Sequence, residues 1–214
     1  MIESGVPTDE ELLAKWIEGD KTAGDSLVRK LFPQIRRFFA SKVGNEVEEL
    51  VQQTFTRLLE AQTRFGGRST LRAYVYGIAR NVLREHFRRR MGNVEIEQHS
   101  VCDMGAGAST LRWRRKEDEL LLESLRRLPL EMQIVLELYF WDDLTIREIA
   151  EVLEVPEGTV ASRIRRAKLR LRDGFEGRPP PAGGSEIEGA DPTLDAWSDR
   201  IRSSIPLEPP GAAQ

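Results

Sequence analysis

Residues Ile146–Lys168 read IREIAEVLEVPEGTVASRIRRAK, and the punctuation of this stretch divides it into two short helices joined by a turn. Thr145 followed three residues later by Glu148 is a capping box, in which each residue's side chain satisfies a backbone N–H of the other, so a helix starts at Ile146. Ile149, Ala150 and Leu153 then face inward, with Ala150 small where two crossing helices must approach closely. Pro156 suits the first turn of the next helix, where a missing N–H removes no intrahelical bond. At about 100° per residue, Val160, Ile164, Ala167 and Leu171 fall in one narrow arc, leaving Ser162, Arg165, Arg166 and Leu169 opposite. This is the pattern of a helix-turn-helix whose second helix keeps a polar face free for a major groove. An arginine there can grip guanine through two hydrogen bonds, and Thr159 and Ser162 are short enough to hold a phosphate or a base edge.

Upstream, every apolar repeat is also helical. Thr8 with Glu11 forms another capping box, followed by Leu12, Leu13, Trp16 and Ile17 at helical spacing. A second segment carries Leu27, Val28 and Leu31; Pro33 is expected to open or kink a third, with Ile35, Phe38, Phe39 and Val43, which Gly44-Asn45 ends. EVEELVQQTFTRLLEA places Val47, Leu50, Val51, Thr54, Phe55, Leu58 and Leu59 on one side and Glu46, Glu49, Gln52, Gln53 and Arg57 on the other. FGGRST breaks the pattern before a long helix with a buried stripe of Leu71, Tyr74, Val75, Ile78 and Val82. Its far side is expected to show Arg72, Tyr76, Arg80 and Arg84 as one ridge, and basic groups interleaved with a ring suit a phosphate chain with exposed bases.

From about Met91 to Lys116 periodicity is lost, and DMGAGAST reads as a flexible linker. Helices resume with Leu120, Leu121, Leu125 and Leu128; Pro129 then stands where a first-turn proline is tolerated, before Ile134, Val135 and Leu138. After Asp173 the chain turns Pro- and Gly-rich, with seven acids against three bases, and should be mostly disordered, with one short helix around Leu194, Trp197 and Ile201. The expected fold is all-α: two small helical domains at 1–90 and 117–173, a flexible linker at 91–116 and a tail at 174–214.

Composition narrows the function. The chain has 214 residues, 40% of them hydrophobic and 31% charged, which places it among globular proteins. No apolar run approaches the roughly 18 residues needed to span a bilayer, and MIESGVPTDEELL is acidic without a leader-like core, so membrane insertion and secretion are not expected and the cytoplasm is the default compartment. One cysteine, Cys102, with only His86 and His99 beside it, offers no zinc-ligand spacing. There is no phosphate-cradling GxxxxGK and no recognisable nucleophile–base pair, so no enzyme, cofactor or metal is expected. The net charge of -3 excludes a protein that holds DNA by bulk electrostatics. The basic residues are instead sorted into two strips: Arg72 to Arg90, with Glu85 its lone acid, and Arg163 to Arg172, with none.

LPLEMQIVLELYFWDDLTIREIAEVLEVPEGTVASRIRRAKLRLR resembles the C-terminal promoter-binding domain of bacterial sigma factors of the extracytoplasmic-function (ECF) group, above all in EIA, VPEGTV and SRIRRAK. EELVQQTFTRLLEA and STLRAYVYGIARNVLREHFRRR resemble that group's N-terminal domain, including the ARN triplet at Ala79–Asn81. The likeness covers about residues 9 to 173, in the family's order. It implies sigma region 2 in the first domain, region 4 in the second, and core RNA polymerase and promoter DNA as partners. Thr159, Ser162, Arg163, Arg165 and Arg166 would then read the minus-thirty-five element. Arg68, Ser69 and Thr70 of the loop would capture a flipped base of the minus-ten element, while Tyr74, Arg80, Asn81 and Arg84 hold the opened strand. Glu49, Gln52, Gln53 and Arg57 would meet the polymerase. The resemblance also implies a partner anti-sigma protein. Ala161 stands where many relatives carry a lysine or arginine, Glu154 where glycine is frequent, Gln53 where glutamate is usual, and Tyr74 in place of a common tryptophan. The alternative is a helix-turn-helix regulator that binds an operator without polymerase, against which the ARN helix and the polar Gln52 face both speak.

Overall fold

A computed structural model describes residues 7–173 apart from 62, 64, 68, 93 and 110–115. Among them the helices are α1 (Asp9–Ile17), α2 (Lys21–Ala40), α3 (Val47–Ala61), α4 (Leu71–Met91), α5 (Lys116–Arg126), α6 (Leu130–Phe140), α7 (Ile146–Leu153) and α8 (Glu157–Asp173), with one 3-10 turn at Ile96–Gln98. No strand occurs among the described residues. Arg68, the tail and its expected helix lie outside the described residues.

Local chemistry sets the helix starts. Thr8 Oγ1 accepts from Glu11 N–H at 3.2 Å while Glu11 accepts from Thr8 N–H at 2.8 Å. Thr145 and Glu148 repeat the pair at the same two distances. Asp20 caps α2 by accepting from Thr22 and Ala23, and Thr70 caps α4 by accepting from Ala73. Such caps each contribute on the order of 1 kcal/mol by satisfying donors that the helix itself leaves unpaired.

Two expectations about helix shape need correction. Pro33 neither opens nor ends a helix: α2 runs through it from Lys21 to Ala40. An interior proline costs about 3 kcal/mol, and burial of Leu27, Leu31, Ile35, Phe38 and Phe39, none more than 1% exposed, offsets it at roughly 1.5–3 kcal/mol per side chain. Leu59, expected inside, is 48% exposed, because it lies about 100° around the helix from Leu58 and so falls off the buried stripe.

Helices α1 to α4 form one unit and α5 to α8 a second. Trp16 of α1 lies against α2 at Gly24, where a Cβ would come within 2.5 Å of the indole nitrogen, so this approach requires glycine. The two units pack directly on each other, α4 against α7. Helix α6 is buried on nearly every side, as a helix inside a core must be, whereas α4 is covered on two sides and keeps an open one at Asn81 and Arg88. The described part of the linker lacks helical period yet is anchored by buried Ile96, Val101 and Met104 and by an isolated bridge between Ser100 and Pro129.

Candidate nucleic-acid interface

Helices α7 and α8 build the first candidate surface. Val160, Ile164, Ala167 and Leu171 are buried, and Arg165 and Arg166 are exposed on the opposite side, as the spacing predicts. Thr159 and Ser162 are half-buried at the N-terminal end of the same face, and Ser162 donates to Thr159 O at 2.9 Å. Arg163 points another way and donates to Glu131 at 3.0 Å. The α7–α8 turn passes through Glu154, which caps α7 in the left-handed region at φ 56 and ψ 44. A side chain there costs about 1–2 kcal/mol through its Cβ, and glycine gives back only part of that in chain entropy. Glu154→Gly is therefore expected to raise stability by roughly 0.5–1 kcal/mol. Thermal unfolding of the two proteins checks this; an unchanged or lower midpoint would contradict it.

The second surface, around α4, departs from the expected ridge. Tyr76 is 1% exposed, its ring edge-on to Phe38 at 5.7 Å, and Arg80 is 6% exposed. Periodicity assumes one covered side, but α4 has a second cover: Arg80 donates twice to Glu131 of α6, at 3.1 and 2.8 Å. Arg72 donates to Asp142 O at 2.5 Å and Thr70 to Glu148 at 2.8 Å. Arg84 is ion-paired with Glu97. Tyr74 is half-buried against Phe65, with ring centroids 5.3 Å apart, Ser69 is half-buried, and Asn81 is exposed. The structure thus brings Thr70, Arg80 and Arg163 to acids of the C-terminal unit, while Asn81, Arg165 and Arg166 keep their exposure.

On α3, Glu49 and Gln52 are exposed, and Gln53 donates to Glu49 at 2.9 Å. Arg57 makes a two-pronged pair with Glu85 at 2.7 and 2.6 Å. Those hydrogen bonds from Arg57 hold the Glu85 carboxyl below its ordinary range.

Sequence reasoning missed the polar groups between the units. Arg37 is paired with Asp142, and Lys42 with Glu137, all four buried. Glu137 also accepts from Ser41 at 3.0 Å and from Gln133 at 2.8 Å. Arg126 donates to Ser41 O at 2.6 Å and to Gly107 O at 2.5 Å. A signal was present in α6: Met132, Ile134, Val135, Leu136 and Leu138 leave no side free for water, so Glu131, Gln133 and Glu137 had to find buried partners.

A basic recognition helix set against a capped partner helix, on an otherwise acidic chain, defines a DNA-binding protein of the helix-turn-helix class. Residues 27–92 match the family Sigma-70 region 2, and residues 118–171 match Sigma-70, region 4. The ECF RNA polymerase sigma-E factor of Haemophilus influenzae is 27% identical over 178 residues, covering 78% of this chain and 94% of that protein. Among solved structures, the sigma factor RpoE of Bartonella quintana in complex with the anti-sigma factor NepR has a TM-score of 0.56 at 21% identity, covering 72% of this chain and 98% of that one. CnrH in complex with the cytosolic domain of CnrY has a TM-score of 0.58 at 22% identity, covering 80% and 99%. The chain belongs to the sigma-70 family, in its ECF group. Its role is that of a sigma factor in promoter-directed transcription, a non-enzymatic one. No helix among the described residues is long and apolar enough to cross a membrane.

Proposed function

We propose that this chain binds core RNA polymerase and directs it to promoters by reading two elements with two domains, region 2 at 1–90 and region 4 at 117–173. Thr159, Ser162, Arg165 and Arg166 enter the major groove of the minus-thirty-five element, with Arg163 beside them. The loop residues Arg68, Ser69 and Thr70 take an extruded base of the minus-ten element, and Tyr74, Arg80, Asn81 and Arg84 hold the opened strand. Glu49, Gln52, Gln53 and Arg57 meet the polymerase. The observation that carries the reading is the recognition face of α8, where Arg165 and Arg166 stand exposed above a buried stripe of Val160, Ile164, Ala167 and Leu171.

An acidic chain suits this role, because polymerase supplies the non-specific hold on DNA and the subunit needs only local basic surface. Action in the cytoplasm, where core polymerase and chromosome lie, follows from the same reading. Since the solved relative RpoE is bound to an anti-sigma factor, a protein inhibitor of that kind is a further proposed partner. Transcription reconstituted from core polymerase, the full chain and a pool of randomised promoters tests the proposal. Initiation at a defined subset, selected only when the chain is present, is expected. No initiation at any sequence, with the chain folded, would overturn it.

A further inference from the structure

Gly77 has no use within the fold. Glycine is among the poorest residues for a helix interior, because it gives up the most backbone freedom and packs nothing. Gly77 is nonetheless the seventh residue of the 21-residue α4. Of the other glycines in helices, Gly24 is required by the closeness of Trp16, and Gly158 is only the second residue of α8, where the helix has barely begun. At Gly77 nothing lies within 4 Å of the place a Cβ would take, and its φ is not positive. The chain itself neither fills nor needs this notch.

The residues that border the notch suit a nucleobase. Tyr74, Gly77, Asn81 and Arg84 stand at i, i+3, i+7 and i+10, within an arc of about 80° on α4. Tyr74, Gly77 and Arg84 are half-buried and Asn81 is exposed. The Tyr74 ring leans on Phe65, with centroids 5.3 Å apart and planes tilted by 55°, so it forms a steadied wall. Side chains on a helix cover the turn before their own Cα, which carries the Asn81 amide over Gly77. Among the described residues no hydrogen bond holds that amide. Beyond it, Arg84 is ion-paired with Glu97.

An aromatic wall, an open floor and an unengaged amide match one unstacked base. Stacking on the ring is indifferent to sequence, since every base has a π-face. The amide is selective. Asparagine presents a donor and an acceptor side by side, the complement of the adenine N7 and its N6 amino group, whereas guanine presents two acceptors on that edge. A purine also covers more of the Tyr74 ring than a pyrimidine does. Any side chain at position 77 would take the volume of the base, which gives the glycine its reason.

We propose that Gly77 is the floor of a seat for one unpaired adenine of the minus-ten element, stacked on Tyr74 and read by Asn81. This rests on the sigma-factor reading above and adds a base and a position to it. The seat lies on α4 itself, so it takes a different base from the one extruded into the loop at 68–70.

The test uses the full chain, core polymerase and the selected promoter with its minus-ten element pre-opened by mismatches. An abasic site is moved through each strand of the opened element, and complex formation is measured for the unaltered chain and for Gly77→Leu. In the unaltered chain, loss of the seated base is expected to weaken the complex about tenfold, within the range that stacking on one ring supplies. Gly77→Leu should weaken the intact complex by a similar factor, and the abasic site at that one position should then cost nothing further, because the seat is already filled. Bases held elsewhere should cost the same in both chains. At the coupled position adenine should be preferred to guanine by at least about fivefold, a preference that Asn81→Ala removes. Gly77→Ala separates the seat from a role in folding: its thermal midpoint should stay or rise, since alanine is the better helix former and its Cβ meets no neighbour. The seat is overturned by full binding of Gly77→Leu, by the absence of any coupled position, by a coupled position that does not favour adenine, or by a lower midpoint for Gly77→Ala. If the unaltered chain initiates nowhere, the sigma-factor reading itself fails; initiation together with any of those four results removes only the seat.

Discussion

Replacing Arg165 and Arg166 together with alanine is expected to lower transcription from the selected promoter by about 100-fold while leaving the thermal midpoint unchanged. Both side chains are exposed on α8, and among the described residues the one hydrogen bond of either is a long one from Arg166 Nε to Ser162 O at 3.4 Å. Removing them takes nothing from the core, where Ile164 and Ala167 hold the helix in place. Each two-pronged arginine–guanine contact discriminates by about 1–3 kcal/mol, so losing two costs about 2–6 kcal/mol, a range that contains the roughly 2.7 kcal/mol of a 100-fold loss. The loss should be greatest on promoters with an intact minus-thirty-five element and small where that element is already scrambled. A uniform loss over all promoters would mean that the two arginines serve the phosphates alone.

Lys42→Met is the second large effect, and it acts on stability. Lys42 is fully buried, with its ammonium on Glu137, on Phe38 O at 2.8 Å and 3.9 Å from the centre of the Phe38 ring. Removing the cation leaves the Glu137 carboxylate buried with only Ser41 and Gln133 to satisfy it, and stranding one partner of a buried pair costs about 3–5 kcal/mol. Lys42→Met with Glu137→Leu should recover most of that, because neither charge then has to be taken out of water. Denaturation of the two single variants and the double variant reads the coupling directly. If the double variant is as unstable as Lys42→Met alone, the loss comes from packing at Lys42 and the pair has no special weight.

The helical content was legible because it is written locally. Capping boxes at Thr8 and Thr145 and the stripe Val160, Ile164, Ala167 and Leu171 depend on neighbours within a turn or two, and each is present where the spacing puts it. The open face of α8 was legible for the same reason. Tyr76 and Arg80 were misread as outward because a period of 3.6 shows which residues share a side, while the number of covered sides depends on partners distant in sequence. Arg37 meets Asp142 across 105 positions and Arg80 meets Glu131 across 51. No local pattern carries those pairings. Pro33 was misread for a related reason: its local cost is plain in the sequence, whereas the burial of Leu31, Ile35 and Phe38 that outweighs it belongs to the assembled core.

That one chain reads two promoter elements through separate units can be measured by local DNA cleavage. In a Cys102→Ser chain, an iron chelate is attached at Arg88→Cys, on the exposed end of α4, or at Ala161→Cys, on the exposed side of α8, and the complex with core polymerase and the selected promoter is allowed to cut. Cuts are expected at the minus-ten element from the first position and at the minus-thirty-five element from the second, about 25 base pairs apart, or roughly 85 Å. Cuts from both positions in the same stretch of DNA, or an identical pattern from the chain without polymerase, would contradict it.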